Sequence, residues 1–303
     1  MLRIIAGLAI AAALVSGTED DRGRPVVLLV HGRGMLDRDT AAMRKLWVDA
    51  ISSGAGSING QRLYSDRDVR VVWYADVLDP RATSGCDYKS SDARSRRATS
   101  DPELREVVST AGSILGAITA LVDDSGAAGQ LRALSADAAF LADARKRCAA
   151  EQRLADALDR ARSEGRPVIL VAHSLGAVLA YDYLYARSDT GSVERLITIG
   201  SLVGSPDLRR LLIGGDAADL LTRPPSVKSW INIRNENDWF AAPITVGKDI
   251  VTSGPSDEPD PHEMVGYLRG TATNAEVASD WCAAFGGKAP ALCASVRRPA
   301  SSD

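Results

Sequence analysis

The segment Val168-Ile-Leu-Val-Ala-His-Ser174-Leu-Gly-Ala-Val-Leu-Ala180 leaves this chain few ways to fold. Val168 to Ala172 is an apolar run of β-strand length, and Leu175 to Ala186 carries a helical pattern. Only His173 and Ser174 separate them. A turn this abrupt forces the serine into a strained backbone conformation and brings strand and helix backbones almost into contact. Small residues are therefore needed on either side, and Ala172 and Gly176 stand two before and two after Ser174. The hydroxyl is left at the tip of a sheet, beside a helix N-terminus.

The remaining pattern supplies that sheet. Apolar runs predict strands at Val26–Val30, Val69–Tyr74, Val168–Ala172, Arg195–Ile199, Val227–Ile233 and Lys248–Thr252. Helices are expected over Thr40–Ser52, Leu175–Ala186 and Glu263–Leu268. Alternation of this kind points to an α/β fold, a mainly parallel sheet of about six strands with helices on both faces. About ninety residues, 75–166, separate the second and third strands, far more than a crossover needs. They read as a polar loop (79–101) followed by helices at Pro102–Val122 and Gln130–Ser163. This insertion is either a lid over the site or an enlarged crossover, and its spacing does not decide between them.

At 303 residues, 45% hydrophobic, the chain supports one well-cored domain over 18–296 with that insertion. The N-terminus has the layout of a secretory signal: Arg3, an apolar run from Ile4 to Val15, then Ser16-Gly17. Cleavage after residue 17 would make the protein secreted or periplasmic, the alternative being a cytoplasmic protein with an apolar N-terminal helix. The run is too short for a stable transmembrane span. Four cysteines fit two disulfides in an exported chain, with Cys282–Cys293 and Cys86–Cys148 as one pairing. The tail, 297–303, reads as disordered.

A net charge of −3 gives no global attraction to nucleic acid or anionic lipid, so neither is an expected partner. The clusters Arg94-Ser-Arg96-Arg97 and Arg145-Lys-Arg147 read as solvated helix faces. There is no HExxH, and three histidines are too few for a histidine-based metal site, so neither metal nor other cofactor is expected.

Serine needs a base to act as a nucleophile at neutral pH. Of the three histidines, His31 ends the first strand, and His173 precedes Ser174 so that the turn aims its side chain elsewhere. His262, after the last strand, is left as the base. Carboxylates that could orient it follow strand ends: Asp238 in Arg234-Asn-Glu-Asn-Asp238-Trp239, with Glu236 and Asp207 as alternatives. Backbone N–H groups of Leu175, opening the helix, and Arg33, in His31-Gly-Arg-Gly34, suit an oxyanion hole. Met35, Trp73 and Trp239 are candidate walls of a substrate pocket, although each residue type is as commonly core.

Taken together, Val30-His-Gly-Arg-Gly34, Ala172-His-Ser-Leu-Gly176, Trp230-Ile-Asn-Ile with Asp238, and His262 with Tyr267-Leu268 resemble the α/β-hydrolase superfamily. The resemblance is to its lipase- and esterase-like branch and spans residues 26–268. It implies the order Ser…Asp…His, hence Ser174 as nucleophile, Asp238 as acid and His262 as base. It also implies hydrolysis of a small-molecule or lipid ester through an acyl-enzyme. Amidase, thioesterase and acyltransferase chemistry would use the same residues, and a non-catalytic binding module could keep the scaffold. Ala172 departs from the usual first glycine of the turn, and the insertion matches no family pattern.

Overall fold

A computed structural model describes residues 22–79, 144–187, 191–206, 221–255, 257–285 and 289–296. The signal segment, Cys86, Asp207, the Pro102–Val122 helix and the 297–303 tail lie outside the described residues.

In chain order the elements are β1 (Val26–Val30), α1 (Thr40–Ile51), β2 (Ser57–Ile58), β3 (Gln61–Arg62), β4 (Val69–Val72) and α2 (Ala75–Leu78). There follow α3 (Ala144–Ser163), β5 (Val168–His173), α4 (Leu175–Ala186), β6 (Arg195–Ile199), β7 (Trp230–Asn235), β8 (Lys248–Thr252), α5 (Met264–Arg269) and α6 (Thr271–Ala284). Six strands form one sheet in the order β4-β1-β5-β6-β7-β8, every pairing parallel. β2 and β3 make a separate small hairpin. This is an α/β architecture.

The apolar runs follow from burial on both faces of a parallel sheet. Val26, Leu28 and Val30 pack with α3 and α4, through Ala150, Leu154 and Leu158 and through Val178 and Leu179. Their neighbours Val27 and Leu29 point the other way, into a layer of Trp47 and Ile51 from α1, Leu268 from α5 and Trp281 from α6. Complete burial of each such side chain contributes roughly 1.5–3 kcal/mol, so β1 alone couples the two layers strongly.

Some boundaries shift from the sequence reading. β4 stops at Val72 and β5 runs on to His173. β7 begins at Trp230, because Val227 forms an isolated bridge with Val193 ahead of it. α3, the described end of the insertion, is the crossover helix that covers one face of the sheet. Arg145-Lys-Arg147 is not a uniformly solvated face. Lys146 is buried and donates to the carbonyl of Asp79, and Arg147 is buried 3.8 Å from Asp182 of α4. Packing of α3 on α4 turns that side of the helix inward, where a paired charge is tolerated.

Cys282 and Cys293 are disulfide-bonded across a Cα separation of 5.5 Å, and Cys148 is also disulfide-bonded. Among the described residues no helix is long and apolar enough to cross a membrane.

Candidate active site

The site lies along the C-terminal edge of the sheet, where β1, β5, β6, β7 and β8 release their loops. Ser174, between β5 and α4, has φ 50° and ψ −122°. Asn59 is the other non-glycine residue with positive φ among the described residues. The cause is the closeness of the backbones. A Cβ on Gly176 would lie 2.2 Å from the His31 carbonyl oxygen and 2.9 Å from that of Val30. A Cβ on Gly32 would meet the Ser174 Cβ at 3.0 Å. Both glycines are thus required for the β1 loop to press against the turn. Ala172 is fully buried in β5, paired with Val30 of β1.

His262 reaches this serine from the loop after β8. Its Nε2 lies 2.9 Å from Ser174 Oγ, and its Nδ1 lies 2.9 and 3.0 Å from the two Asp238 carboxylate oxygens. A carboxylate only accepts, which assigns the proton to Nδ1 and leaves Nε2 to accept from the serine hydroxyl. The Asp238 side chain is fully buried, whereas Glu236 is exposed. Of the three carboxylates weighed from sequence, Asp238 is the one beside His262, and Asp207 lies outside the described residues.

Asp238 has further donors that the sequence reading did not anticipate. The Phe240 N–H donates to Oδ1 at 2.8 Å and the Tyr267 hydroxyl to Oδ2 at 2.7 Å. Tyr267 in turn accepts from the Asn235 N–H at 2.9 Å. Burial and the adjacent Asp238 charge push the Tyr267 phenol upward, so it remains protonated and donates. Gly200, at φ 55°, makes room for this pair: a Cβ there would stand 2.9 Å from the Tyr267 ring and 3.0 Å from Asp238 Oδ2. The five-residue spacing of Tyr267 from His262 places it on α5, facing the sheet. That spacing was the one available sequence signal for it.

His31 anchors the β1 loop. It donates from Nδ1 to the Gly32 carbonyl at 2.6 Å and accepts the Tyr74 N–H at Nε2 at 3.1 Å. The Tyr74 hydroxyl donates to the His31 carbonyl at 2.8 Å, and the two rings stack at 4.1 Å. Burial pushes the imidazole down to about 4, so it is neutral at physiological pH. Beyond it, Gly34 turns the loop at φ 77°. The Arg33 guanidinium sits 4.5 Å over the Phe240 ring, which lies 4.8 Å from the His262 ring.

The N–H of Leu175, first residue of α4, has no acceptor within its own helix and opens beside Ser174. Of the candidate pocket walls, Trp239 is 95% exposed next to Asp238. Trp73 is half-buried with its ring 4.7 Å from His31, and Met35 packs against the core layer of α1 and α5.

This arrangement can move the Ser174 proton onto His262 and hold the resulting cation against a buried carboxylate. Among the described residues no group of three or more histidine, cysteine or acidic side chains could hold a metal ion. No family model, curated protein or solved structure matches the chain, so the chemistry of the site is read from its own residues.

Proposed function

We propose that this chain is a serine hydrolase of the α/β-hydrolase type that cleaves carboxylic esters. The observation that carries the reading is the continuous path from Ser174 Oγ through His262 to Asp238, with contacts of 2.9 Å at each step, on a serine held at positive φ. Ser174 attacks the acyl carbon while His262 Nε2 takes its proton, and His262 then returns that proton to the leaving alkoxide. Asp238 stabilises the imidazolium, and Tyr267 and the Phe240 N–H keep the carboxylate from rotating. The Leu175 and Arg33 N–H groups receive the oxyanion, helped at Leu175 by the positive end of the α4 dipole. Water, activated by His262, releases the acyl group.

The substrate is a small-molecule or lipid ester. The disulfide-bonded cysteines support an oxidising, secreted or periplasmic setting. The test is turnover of short p-nitrophenyl esters with covalent labelling by a fluorophosphonate. Ser174→Ala is expected to lose turnover by roughly 10⁴-fold or more and all labelling, with the far-UV spectrum unchanged. Equal turnover or labelling in wild type and variant would overturn the reading. Product analysis with an added alcohol acceptor separates hydrolysis from acyl transfer.

A further inference from the structure

We propose that His173 is a positioning residue for the base, tying the backbone of His262 to the serine turn; this rests on the hydrolase reading above. His173 is the last residue of β5, and its backbone is held in the ladder opposite Ile199 of β6. Its side chain is buried, and Nε2 lies 2.7 Å from the His262 carbonyl oxygen. A carbonyl only accepts, so Nε2 carries the proton and Nδ1 is a bare acceptor. Nδ1 is buried without a hydrogen-bond partner among the described residues. Leaving a buried acceptor unmatched is costly, and a role for the opposite edge of the ring offsets that cost.

The ring is wedged in place. A Cβ on Gly32 would stand 2.6 Å from Nδ1, and one on Gly200 would stand 3.3 Å from Cδ2. The ring centroid lies 4.9 Å from that of His262 and 6.0 Å from that of Tyr267. Through this ring the β1 loop, the serine turn, the β6 loop and the His262 loop share one contact point. The His262 N–H is bound by Asp260 Oδ1 at 2.9 Å, within its own loop. Among the described residues, the His173 bond is the one that ties the His262 backbone to the sheet itself, across a separation of 89 residues. A small slip of that loop would lengthen the serine contact, and reaction rates fall steeply with such misplacement.

His173 must stay neutral for this, since a second cation beside His262 would oppose the imidazolium formed in the reaction. Its titratable and charged neighbours are His262, His31 and Arg33. Burial first, and then the His262 charge, hold it well below the ordinary histidine range.

Two amides of equal chemistry and different reach test the proposal. In His173→Gln the amide nitrogen lies as many bonds from Cβ as the histidine Nε2. In His173→Asn it ends where Nδ1 stood and cannot reach the His262 carbonyl. His173→Gln is expected to keep kcat within about fivefold, and His173→Asn to lose roughly 10–100-fold with KM within twofold, consistent with misplacement of a reacting group. The low-field proton resonance of His262 Nδ1–H, read by NMR, should persist in His173→Gln and exchange away in His173→Asn. This reading does not depend on turnover. Equal kcat and equal resonances in the two variants would overturn the proposal. A wild type that neither hydrolyses esters nor labels overturns the hydrolase reading instead, and the resonances then decide the role of His173. If His173→Asn fails to fold, loss of the resonance in a folded His173→Gln is the overturning result.

Discussion

The two ends of the sheet solve opposite electrostatic problems. At the N-terminal end of the strands, Asp68 accepts two contacts of 2.6 Å from Arg24 and one of 2.8 Å from Arg166. The Arg166 and Asp68 side chains are 1% and 0% exposed, and Arg166 also donates to the carbonyls of Arg24, Pro25 and Arg67. Burial would raise the Asp68 carboxyl, yet Arg24 and Ser65 hold it below the ordinary range. Arg195–Asp280 and Lys228–Glu194 pair near the same end. Here full charges meet full charges.

At the C-terminal end the buried histidines and tyrosine are neutral. His31 and His173 are held uncharged by burial, and Tyr267 is held protonated. One carboxylate, Asp238, stands among neutral donors and faces the single histidine that reaches the serine. Paired charges clamp the strand starts, where nothing has to change. In the proposed reaction, neutral buried side chains around the one buried carboxylate, Asp238, would let the other end accept a new positive charge on His262 and hold it.

The contrast breaks if the two ends can be exchanged in effect. Asp68→Ala removes the shared acceptor of two guanidiniums, one of them buried. It should lower the unfolding free energy by about 3–5 kcal/mol, the usual result of stranding a buried charge. Urea denaturation checks this, and kcat per folded molecule should stay within twofold. A large loss of kcat would mean that the clamp also shapes the site.

The second prediction concerns pH. The unfolded chain protonates His31 near the ordinary 6.5, whereas the folded chain does so near 4. Between these values the unfolded state binds more protons, so stability falls as pH falls. From pH 7 to pH 5, His31 should remove about 2 kcal/mol, with His173 adding in the same direction. Chemical denaturation at the two pH values reads the loss, and His31→Gln should flatten the slope. A slope unchanged by His31→Gln would place the acid sensitivity elsewhere, and the neutral character of this end would lose its support.

How local the cause of each feature is decides whether the sequence alone announces it. β1 is an apolar run buried throughout, so composition alone marks its limits. β7 was blurred because Val227 is as apolar as the strand it precedes and is spent on a bridge to Val193. α6 was not expected at all. Its buried face includes Thr273, Asn274 and Glu276 beside Val277, Ala278 and Trp281, and the polar residues hide the apolar stripe. In the site, His262 stands out in the sequence because the chain has three histidines, and Ser174 and Asp238 because their strand-end positions are readable. Phe240 and the side-chain role of His173 act through single atoms that meet only after the chain has folded, and no short-range pattern announces them, whereas Tyr267 is marked only by its five-residue spacing from His262.

The smallest expected effect lies in the backbone itself, where the two ends again differ. Near the start of β5 the left-handed conformation falls on a glycine, Gly165 at φ 67°, which adopts it without strain. Just past the end of the same strand it falls on Ser174 at φ 50°. A side chain in that region costs about 1–3 kcal/mol. Ser174→Ala and Ser174→Gly both delete the hydroxyl and its bond to His262, so comparing them isolates the strain of the Cβ. In an ordinary element glycine is the less stable of the two by roughly 0.5–1 kcal/mol. At position 174 the order should reverse, with the glycine variant more stable by about 1 kcal/mol, a Tm difference of about 2–4 °C. Gly165→Ala should run the other way and lower Tm while leaving turnover intact. If Ser174→Ala proves the more stable variant, the turn stores no strain, and the close approach of Gly32 and Gly176 must be relieved by some other movement of the β1 loop.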